Sequence, residues 1–360
     1  MSGLLHALER GRRPRVLVLV DLVQDIDVLL PVLLALRSSA TLVPVIRVSR
    51  WLSRESPRTE ALLRSHGFAF GRVRRREVVE GRAPSLRGIG AVLTASESSS
   101  PAHAAGHALA RRARDAGVAA YTVQHGFENV GLFGHGAGEA HFASATVFCW
   151  FPPSATPDDL PAETLARLAH VGRPAPAGGW RAAPQDRFDL GVFENLHWDR
   201  YTDADRQAFT EGLIATARAL PDARILVRPH PAGGWADQLS HELAQFANIT
   251  AALASETRRD MAGGAQVLQG IRRVITTPST VAMDAALAGL PVALAAAGGA
   301  AYQPLPVLRT PQDWVQFARG DAIGTAPLDQ FLARVLVAGD GAPRIAERLG
   351  RDLKNQVAPN

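Results

Sequence analysis

The chain has 360 residues and a mass of 38.4 kDa, which is enough for two domains of about 100–200 residues each. Apolar residues make up 47% and charged residues 20%, so a disordered chain is excluded. The single cysteine, Cys149, excludes an intramolecular disulfide and a cysteine-rich zinc module. Because there is neither a membrane-length apolar run nor a signal-peptide pattern, we expect a cytoplasmic protein.

The formal charge is +5 and the sequence pI is about 10.2, since nearly all basic residues are arginines. The arginines cluster within residues 10–15 and 72–76. Such clusters predict attraction to phosphates, acidic glycans or an anionic membrane, with peripheral contact at the inner face of the cell membrane. Arginine-rich usage can equally follow from genome composition. No nucleic-acid-binding motif accompanies the clusters, so we expect no nucleic-acid partner.

Apolar strands alternate with amphipathic helices along the first half, a pattern typical of a parallel sheet covered on both faces. The run Val16–Val20 is continuously apolar, as expected for a buried parallel strand. Serines before Pro101 indicate a helix start, and Gly117 a helix end. The predicted strands are 15–20, 41–48, 89–94, 118–123, 145–150 and 169–174, and the predicted helices are 25–37 and 101–116.

A stretch rich in proline and glycine separates the two halves. It predicts a first domain at 1–175, a linker at 176–187 and a second domain at 188–360, whose last helix is free to pack back on the first domain. The second half predicts strands at 188–193, 223–227, 272–276 and 291–295, and helices at 203–220, 236–247, 279–288, 312–318 and 328–337. We therefore expect two Rossmann-like α/β domains whose strand carboxyl ends face a central cleft, where open sheets bind ligands.

Polar residues follow two predicted strands of the first half. Gln124-His125-Gly126 comes directly after a strand, and Gly126 permits a tight turn or a close approach to a ligand. His125 is a candidate general base, because its ordinary pKa lies near neutral pH. The alternative is a turn histidine bonded to backbone. Glu128 is a supporting candidate in the same loop, and Asp21 and Asp25, after the first strand, are the second-choice bases.

The second half offers groups that suit a phosphate. In Arg228-Pro-His-Pro231 two prolines fix the backbone around a cation and an imidazole, His230. Ser279 and Thr280 open a helix, whose positive end favours an anion. The remaining candidates are Asp284, which can accept a ribose hydroxyl or simply favour the helix dipole, and the strand-end pair Glu194-Asn195, which can orient a ligand or cap a turn.

Gln124-His125-Gly126, Arg228-Pro-His-Pro231 and the run Thr276–Pro291 together resemble bacterial GT-B glycosyltransferases of surface polysaccharide assembly. The resemblance covers about 89–130 and 188–296 and includes capsule and lipopolysaccharide Kdo or sialic acid transferases and CDP-glycerol glycerophosphotransferases. It implies a GT-B fold, with His230, Ser279 and Thr280 on the donor phosphate and Arg228 assisting. It also implies His125 as the base, although the capsule Kdo transferases carry an acidic pair where this chain has Gln124-His125.

The residues and the resemblance together predict a metal-independent glycosyltransferase. It would use a nucleotide-activated donor, such as a CMP- or CDP-linked sugar or polyol phosphate, with a glycan or lipid-linked acceptor and no cofactor. No metal-ligand cluster is evident in the sequence. The alternatives are a nucleotide-sugar 2-epimerase of the same fold and a non-catalytic glycan-binding domain. The sequence shows no cluster of His, Arg and Glu after the His-Gly segment that would favour the epimerase.

Overall fold

The chain forms two α/β units in a computed structural model, which describes residues 13–357 except 40, 133–140, 177, 181–186, 234, 261–263 and 322–327. The first unit comprises Met1–Ala177 together with Leu336–Asn360, and the second comprises Gly178–Val335. Residues 336–360 thus belong with the first unit, although chain order assigns them to the second domain. Of the predicted linker, residues 177 and 181–186 lie outside the described residues.

The first unit is built on one parallel sheet. Its strands are β1 (Arg15–Val20), β2 (Val43–Ser49), β3 (Phe70–Val73), β4 (Ala91–Thr94), β5 (Ala119–Val123), β6 (Thr146–Cys149) and β7 (Leu168–His170). Within the described residues these seven strands have the order β3-β2-β1-β4-β5-β6-β7, and every neighbouring pair is parallel. Because β1 lies between two strands and under helices, Val16–Val20 is fully buried.

Helices of the first unit cover this sheet. They are α1 (Asp25–Ser39), α2 (Arg50–Glu55), α3 (Pro57–Ser65), α4 (Arg75–Val79), α5 (Ala104–Asp115) and α6 (Ala162–Leu165). Leu17 and Leu19 of β1 pack with Leu109 and Ala113 of α5 in one apolar cluster. The alternate spacing on the strand and the helical spacing on α5 place these residues on facing surfaces.

The second unit has a smaller parallel sheet. Its strands are β8 (Leu190–Glu194), β9 (Ile225–Pro229), β10 (Ile249–Ala251), β11 (Val274–Thr276) and β12 (Val292–Leu294). In the part of the chain that is described, these five strands have the order β10-β9-β8-β11-β12. β8 is therefore the central strand, with β9 on one side and β11 on the other, so the loops after these three strands leave the same edge.

Most of the remaining helices belong to the second unit: α7 (Asp203–Ala219), α8 (Ser240–Leu243), α9 (Ala254–Arg259), α10 (Gly264–Leu268), α11 (Thr280–Leu287), α12 (Pro311–Arg319) and α13 (Leu328–Val335). Thr202 and Asp205 form a capping box that starts α7. Trp314 of α12 packs against Gly212 of α7, where a Cβ would lie only 2.5 Å from the indole. The glycine therefore permits the close contact of these helices.

The last helix, α14 (Gly341–Val357), is part of the first unit and packs beside α1. The Tyr121 hydroxyl donates to Asp352 at 3.0 Å, and Arg344 donates to the carbonyl of Val171 at 2.8 Å. These contacts attach the end of the chain to β5 and to the segment after β7. Among the described residues, no helix combines the length and the apolar character required to cross a bilayer.

The structure differs from the sequence expectation mainly in short elements. The predicted helix 236–247 is a 3₁₀ turn at Ala236–Leu239 followed by α8. The edge strands β3 and β10 were not predicted, because they are short and contain exposed polar residues such as Arg72 and Thr250. β3 and β10 are half solvated, so they lack the continuous apolar run that marks a buried strand.

Candidate functional site

His125 lies in the loop directly after β5, at the carboxyl edge of the first sheet. Its backbone N–H donates to Oδ1 of Asn129 at 3.1 Å, and its ring Nδ1 lies 3.3 Å from the carbonyl oxygen of Ala95. A carbonyl only accepts, so Nδ1 carries the hydrogen and Nε2 has the free electron pair. Burial, with a smaller effect of His103, lowers the pKa of His125 to about 3. The ring is therefore neutral at pH 7.

Gln124 holds the loop that presents His125. Its amide nitrogen donates to the carbonyl of Gly126 at 2.9 Å, and its oxygen accepts the N–H of Trp150 at 2.8 Å. Both ends of the buried side chain are thus used inside the fold, so Gln124 supports the loop. Glu128 lies partly exposed in the same loop.

The loop after β4 contributes polar side chains that were not among the predicted site residues. His103 contacts His125 edge-to-face with ring centroids 5.1 Å apart, and its Nδ1 lies 2.7 Å from the buried Ser98 hydroxyl. Glu97 is buried and accepts the N–H groups of Ala143 and Ser144. Because Ser96, Glu97 and Ser98 follow a buried strand directly, the rule that identified His125 could also have identified them.

Asp21 and Asp25 lie buried at the carboxyl end of β1. Oδ2 of Asp25 accepts the N–H groups of Asp21 and Leu22 at 2.8 and 2.9 Å, and Oδ1 accepts the Ser96 hydroxyl. Burial raises the pKa of Asp25 to about 6, against the opposing effect of these hydrogen bonds. Burial also raises the pKa of Asp21, whose Oδ2 lies 3.1 Å from Nε of Arg75. The side chain of Asp25 therefore connects the loop after β1 to the loop after β4.

The predicted basic surface is largely paired with carboxylates. Each described arginine of the 72–76 cluster has an acidic partner: Arg72 with Glu60, Arg74 with Glu77, Arg75 with Asp21 and Arg76 with Glu80. Arg13 and Arg15 are exposed, whereas Arg10 and Arg12 lie outside the described residues. The membrane contact stays a prediction, on a surface whose net charge is lower than its arginine count suggests.

His230 follows β9 at the carboxyl edge of the second sheet. Its backbone N–H donates to the carbonyl of Glu194 at 2.8 Å, and its ring Nδ1 accepts the N–H of Ala232 at 3.1 Å. In this tautomer Nε2 carries the hydrogen and has no acceptor among the described residues. Burial and the neighbouring His197 lower the pKa of His230 to about 4. The ring is therefore a neutral hydrogen-bond donor.

The guanidinium of Arg228 forms an ion pair with Asp260, which competes with any hydrogen bond from Arg228 to a phosphate. Its Nη1 lies 2.5 Å from Oδ2 of Asp260, and the Arg228 side chain is only 12% exposed. Arg258 of α9 donates to the carbonyl of Pro231 at 3.0 Å. These contacts fix the proline-framed segment against α9, so the direct effect of Arg228 is to position it.

Ser279 is the N-cap of α11, as its sequence predicts. Its hydroxyl accepts the N–H of Val281 at 3.2 Å and lies 3.1 Å from the hydroxyl of Thr276. Since Thr276 donates to the Thr277 carbonyl, Ser279 donates to Thr276. The N-terminus of α11 carries the partial positive charge of the helix dipole, which favours an anion. Thr280, in the first turn, is partly exposed. Asp284, further along α11, is buried.

Glu194 and Asn195 are buried where β8 ends. Asn195 accepts the hydroxyl of Thr277 at 2.6 Å and donates to the carbonyl of Pro278 at 3.1 Å. Glu194 accepts the N–H groups of Leu196 and Ala236 at 2.6 and 3.3 Å. Burial raises the pKa of Glu194, against the effect of these two bonds. Both side chains therefore join neighbouring loops, which supports the alternative that they cap a turn.

The loop after β8 also carries two aromatic residues that the sequence analysis did not select. His197 stacks on His230 with ring centroids 5.2 Å apart, and Trp198 lies 4.6 Å from His197 and is 48% exposed. They lie two and three residues beyond the polar pair that the sequence analysis chose. A search for candidate residues that extended three residues further along the loop after β8 would have included them.

Comparisons with solved structures identify the fold. The structure of MnaA from Staphylococcus aureus with UDP matches with a TM-score of 0.65 at 11% identity, covering 95% of this chain and 97% of that one. The UDP-GlcNAc 2-epimerases of Neisseria meningitidis and Methanocaldococcus jannaschii have TM-scores of 0.61 and 0.59 at 9% and 10% identity. The matches cover 95% and 94% of this chain and 100% and 99% of the two epimerases.

The fold is therefore the two-domain, Rossmann-like GT-B fold that the sequence predicted. No family model and no curated protein matches the chain. At about 10% identity the structural likeness establishes the fold alone. In the described ranges, no group of three or more His, Cys, Asp or Glu side chains forms a metal-binding arrangement.

Proposed function

We propose that the protein is a nucleotide-sugar enzyme that binds the phosphates of its substrate at the carboxyl edge of the second sheet. The observation that carries this proposal is the state of His230. Its Nδ1 accepts the N–H of Ala232, which leaves Nε2–H as a donor at the end of β9. Open α/β sheets bind ligands at this edge, and phosphate oxygens are acceptors.

The sheet order supports an extended diphosphate at this position. His230 follows β9 and α11 follows β11, and the end of β8 lies between them. Neighbouring strands are about 4.8 Å apart, so these two elements are separated by about 10 Å. The positive end of α11 then complements the donor of His230 across the phosphates.

In the first unit, we assign proton transfer to His125. The carbonyl of Ala95 fixes the hydrogen on Nδ1, so Nε2 is the basic atom. Its lowered pKa keeps this nitrogen unprotonated at neutral pH. The same low pKa makes this imidazole a weaker base than an ordinary histidine, so abstraction of a proton from a hydroxyl or a sugar carbon requires a bound substrate that raises the pKa.

For the reaction itself, the structural neighbours favour 2-epimerisation of a UDP-N-acetylhexosamine, because UDP-GlcNAc 2-epimerases match this chain over nearly its whole length. Glycosyl transfer to a surface-glycan acceptor is the second candidate. Its support is the three sequence motifs that resemble capsule and lipopolysaccharide transferases. The neutral His125 is compatible with both reactions, so the products must decide between them.

Titration calorimetry with UDP, UDP-GlcNAc, CDP, CMP and GDP tests the phosphate site. A hydrogen bond to a charged group is worth about 1.5–3 kcal/mol, so H230A should weaken the nucleotide that binds best about 10- to 150-fold. H241A removes an exposed histidine from α8 and should bind like the wild type. Equal affinity in H230A and the wild type would refute the phosphate site.

Incubation with UDP-GlcNAc in D₂O, without an acceptor, separates the two reactions. Epimerisation breaks and remakes the bond between C2 and hydrogen, so deuterium should enter C2 and the manno epimer should appear in the NMR spectrum. A transferase leaves C2 unlabelled and gives a product only with an acceptor. Binding without either reaction would support the non-catalytic alternative.

A further inference from the structure

Trp198 is a large apolar side chain in the loop after β8. It is 48% exposed, more than any other large apolar side chain among the described residues. Because β8 is the central strand of the second sheet, this loop leaves the carboxyl edge between β9, which leads to His230, and β11, which leads to α11. The indole is thus exposed at the edge where the proposed phosphate site lies, and a ligand that covers it would gain the burial of its apolar surface.

The backbone of this loop is held in place by the fold. The N–H of Trp198 donates to the carbonyl of Asn195 at 3.2 Å, and the carbonyl of Trp198 accepts the N–H of Tyr201 at 3.1 Å. Nε of Arg206 donates to the carbonyl of Leu196 at 3.1 Å, and its Nη2 lies 3.5 Å from the carbonyl of Trp198. Because the loop is already ordered, binding at the indole costs little conformational entropy.

Three aromatic rings pack together and connect Trp198 to the phosphate site. The ring centroid of His197 lies 5.2 Å from that of His230 and 4.6 Å from that of Trp198. The centroids of Trp198 and His230 are 6.3 Å apart. A single ribose joins the α-phosphate of a nucleotide to its base, and it bridges a separation of this size. Both nitrogens of His197 are buried, so His197 supports the two neighbouring rings from inside the fold.

The surroundings of Trp198 favour a flat, uncharged ligand group. Burial lowers the pKa of His197 and of His230, so both rings beside the indole are neutral at pH 7. A nucleobase stacks on such a surface through its π face and needs no hydrogen bond there. A sugar ring has hydroxyls that need partners, whereas Arg206, which holds this loop, is already bonded to Asp203 and to backbone.

We propose that the base of the nucleotide stacks on the indole of Trp198, while His230 and α11 bind the phosphates. This assignment rests on the proposed function, because His230 fixes where the phosphates lie. Stacking is tolerant of base identity, since every base has a π face. Trp198 therefore adds affinity for the nucleotide part of the substrate, whichever sugar is attached.

Calorimetry with UDP, UDP-GlcNAc, CDP, GDP and pyrophosphate tests this assignment, because pyrophosphate has no base. W198A should weaken every nucleotide that the wild type binds about 5- to 150-fold, which corresponds to about 1–3 kcal/mol for one stacked base. It should weaken UDP and UDP-GlcNAc equally and leave pyrophosphate unchanged. W198F keeps a ring and should recover most of the affinity. L253A removes another exposed apolar side chain of the second unit and should bind like the wild type.

Tryptophan fluorescence gives a second, direct measurement. A base stacked on the exposed indole shields it from acrylamide, so saturating UDP should reduce acrylamide quenching of the wild type. W198F lacks only this one of the six tryptophans, and in this variant UDP should leave the quenching unchanged. The same reduction in W198F and the wild type would show that the base does not cover Trp198.

The other outcomes separate this assignment from the phosphate site. Weakening of UDP-GlcNAc alone in W198A would place the sugar on the indole, and equal weakening of pyrophosphate and UDP would mean that Trp198 only supports His230. Either result overturns the assignment, as does unchanged affinity for all ligands. If the wild type binds no nucleotide, or if H230A binds UDP like the wild type, the proposed phosphate site fails instead.

Discussion

The hydroxyl of Ser96 donates a hydrogen bond to Oδ1 of Asp25, which joins the loop after β1 to the loop after β4. The residue before Ser96 is Ala95, whose carbonyl accepts the Nδ1–H of His125. Helix α5 covers this loop so closely that a Cβ on Gly106 would lie 2.4 Å from the Ser96 carbonyl oxygen. The buried carboxyl of Asp25 therefore helps to hold the loop that sets the tautomer of His125.

We predict that D25N is at least as stable as the wild type at pH 7. Asparagine can accept the two backbone N–H groups and donate to Ser96, but it cannot ionise. The folded-state pKa of Asp25 is raised from 3.8 to about 6, so its contribution to stability is complete below pH 4 and is lost as the pH rises through 6. The loss is about 3 kcal/mol as an order of magnitude.

Urea unfolding between pH 4 and 7 measures this difference. The free energy of unfolding of D25N relative to the wild type should increase over that range. D115N, which changes an aspartate whose side chain is 68% exposed, should follow the wild type. A D25N curve parallel to the wild-type curve would show that Asp25 does not titrate as expected.

We predict that H125A loses turnover while it keeps nucleotide binding. A positioned general base contributes about 10²–10⁴-fold, and the nucleotide site of the second unit does not include His125. Steady-state kinetics measure turnover on the substrate that the D₂O experiment identifies, and calorimetry measures nucleotide affinity. H66A is the matched control in the same unit. If H125A stays active and D21N or D25N is inactive, the base is the aspartate.

The sequence was sufficient for the main strands because each is a continuous apolar run in the middle of a sheet. Val16–Val20 is the clearest case, since burial on both faces requires apolar residues at every position. The edge strands β3 and β10 and the attachment of α14 to the first unit were not predictable in detail. The contact of Asp352 with Tyr121 joins residues 231 positions apart, and no local pattern encodes such a distance.

The candidate site was only partly predictable for a similar reason. Residue type and strand position select His125 and His230, but they do not show which side chains are already used inside the fold. Arg228 looks like a free cation in the sequence, whereas its ion pair with Asp260 depends on how α9 packs. His197 was missed because its importance follows from burial and from its stacking on His230, which are properties of the folded chain.

We predict that Asn195 acts mainly in stability. Its side chain links the end of β8 to Thr277 and Pro278 beyond β11. N195A should lower the free energy of unfolding by about 1–3 kcal/mol, because the substitution leaves buried partners unsatisfied. Chemical unfolding and calorimetry on the same samples test this. Unchanged stability with lost nucleotide affinity would instead assign Asn195 to the ligand.

We predict that the arginine surface at residues 72–76 binds anionic vesicles weakly, and only at low salt. Glu80 pairs with the exposed Arg76 and Arg82. E80Q should therefore raise the net positive charge of this surface by removing the carboxylate that neutralises them. A basic residue near an anionic membrane is worth about 1 kcal/mol, which corresponds to about fivefold in affinity. Flotation with phosphatidylglycerol vesicles should show this gain at low salt and lose it at high salt, where the charges are screened.

E211Q adds the same charge on α7, where Glu211 pairs with Gln207, and should have no effect. An equal gain in both variants would mean that net charge alone attracts the protein, and no gain in either would exclude this surface as a membrane contact.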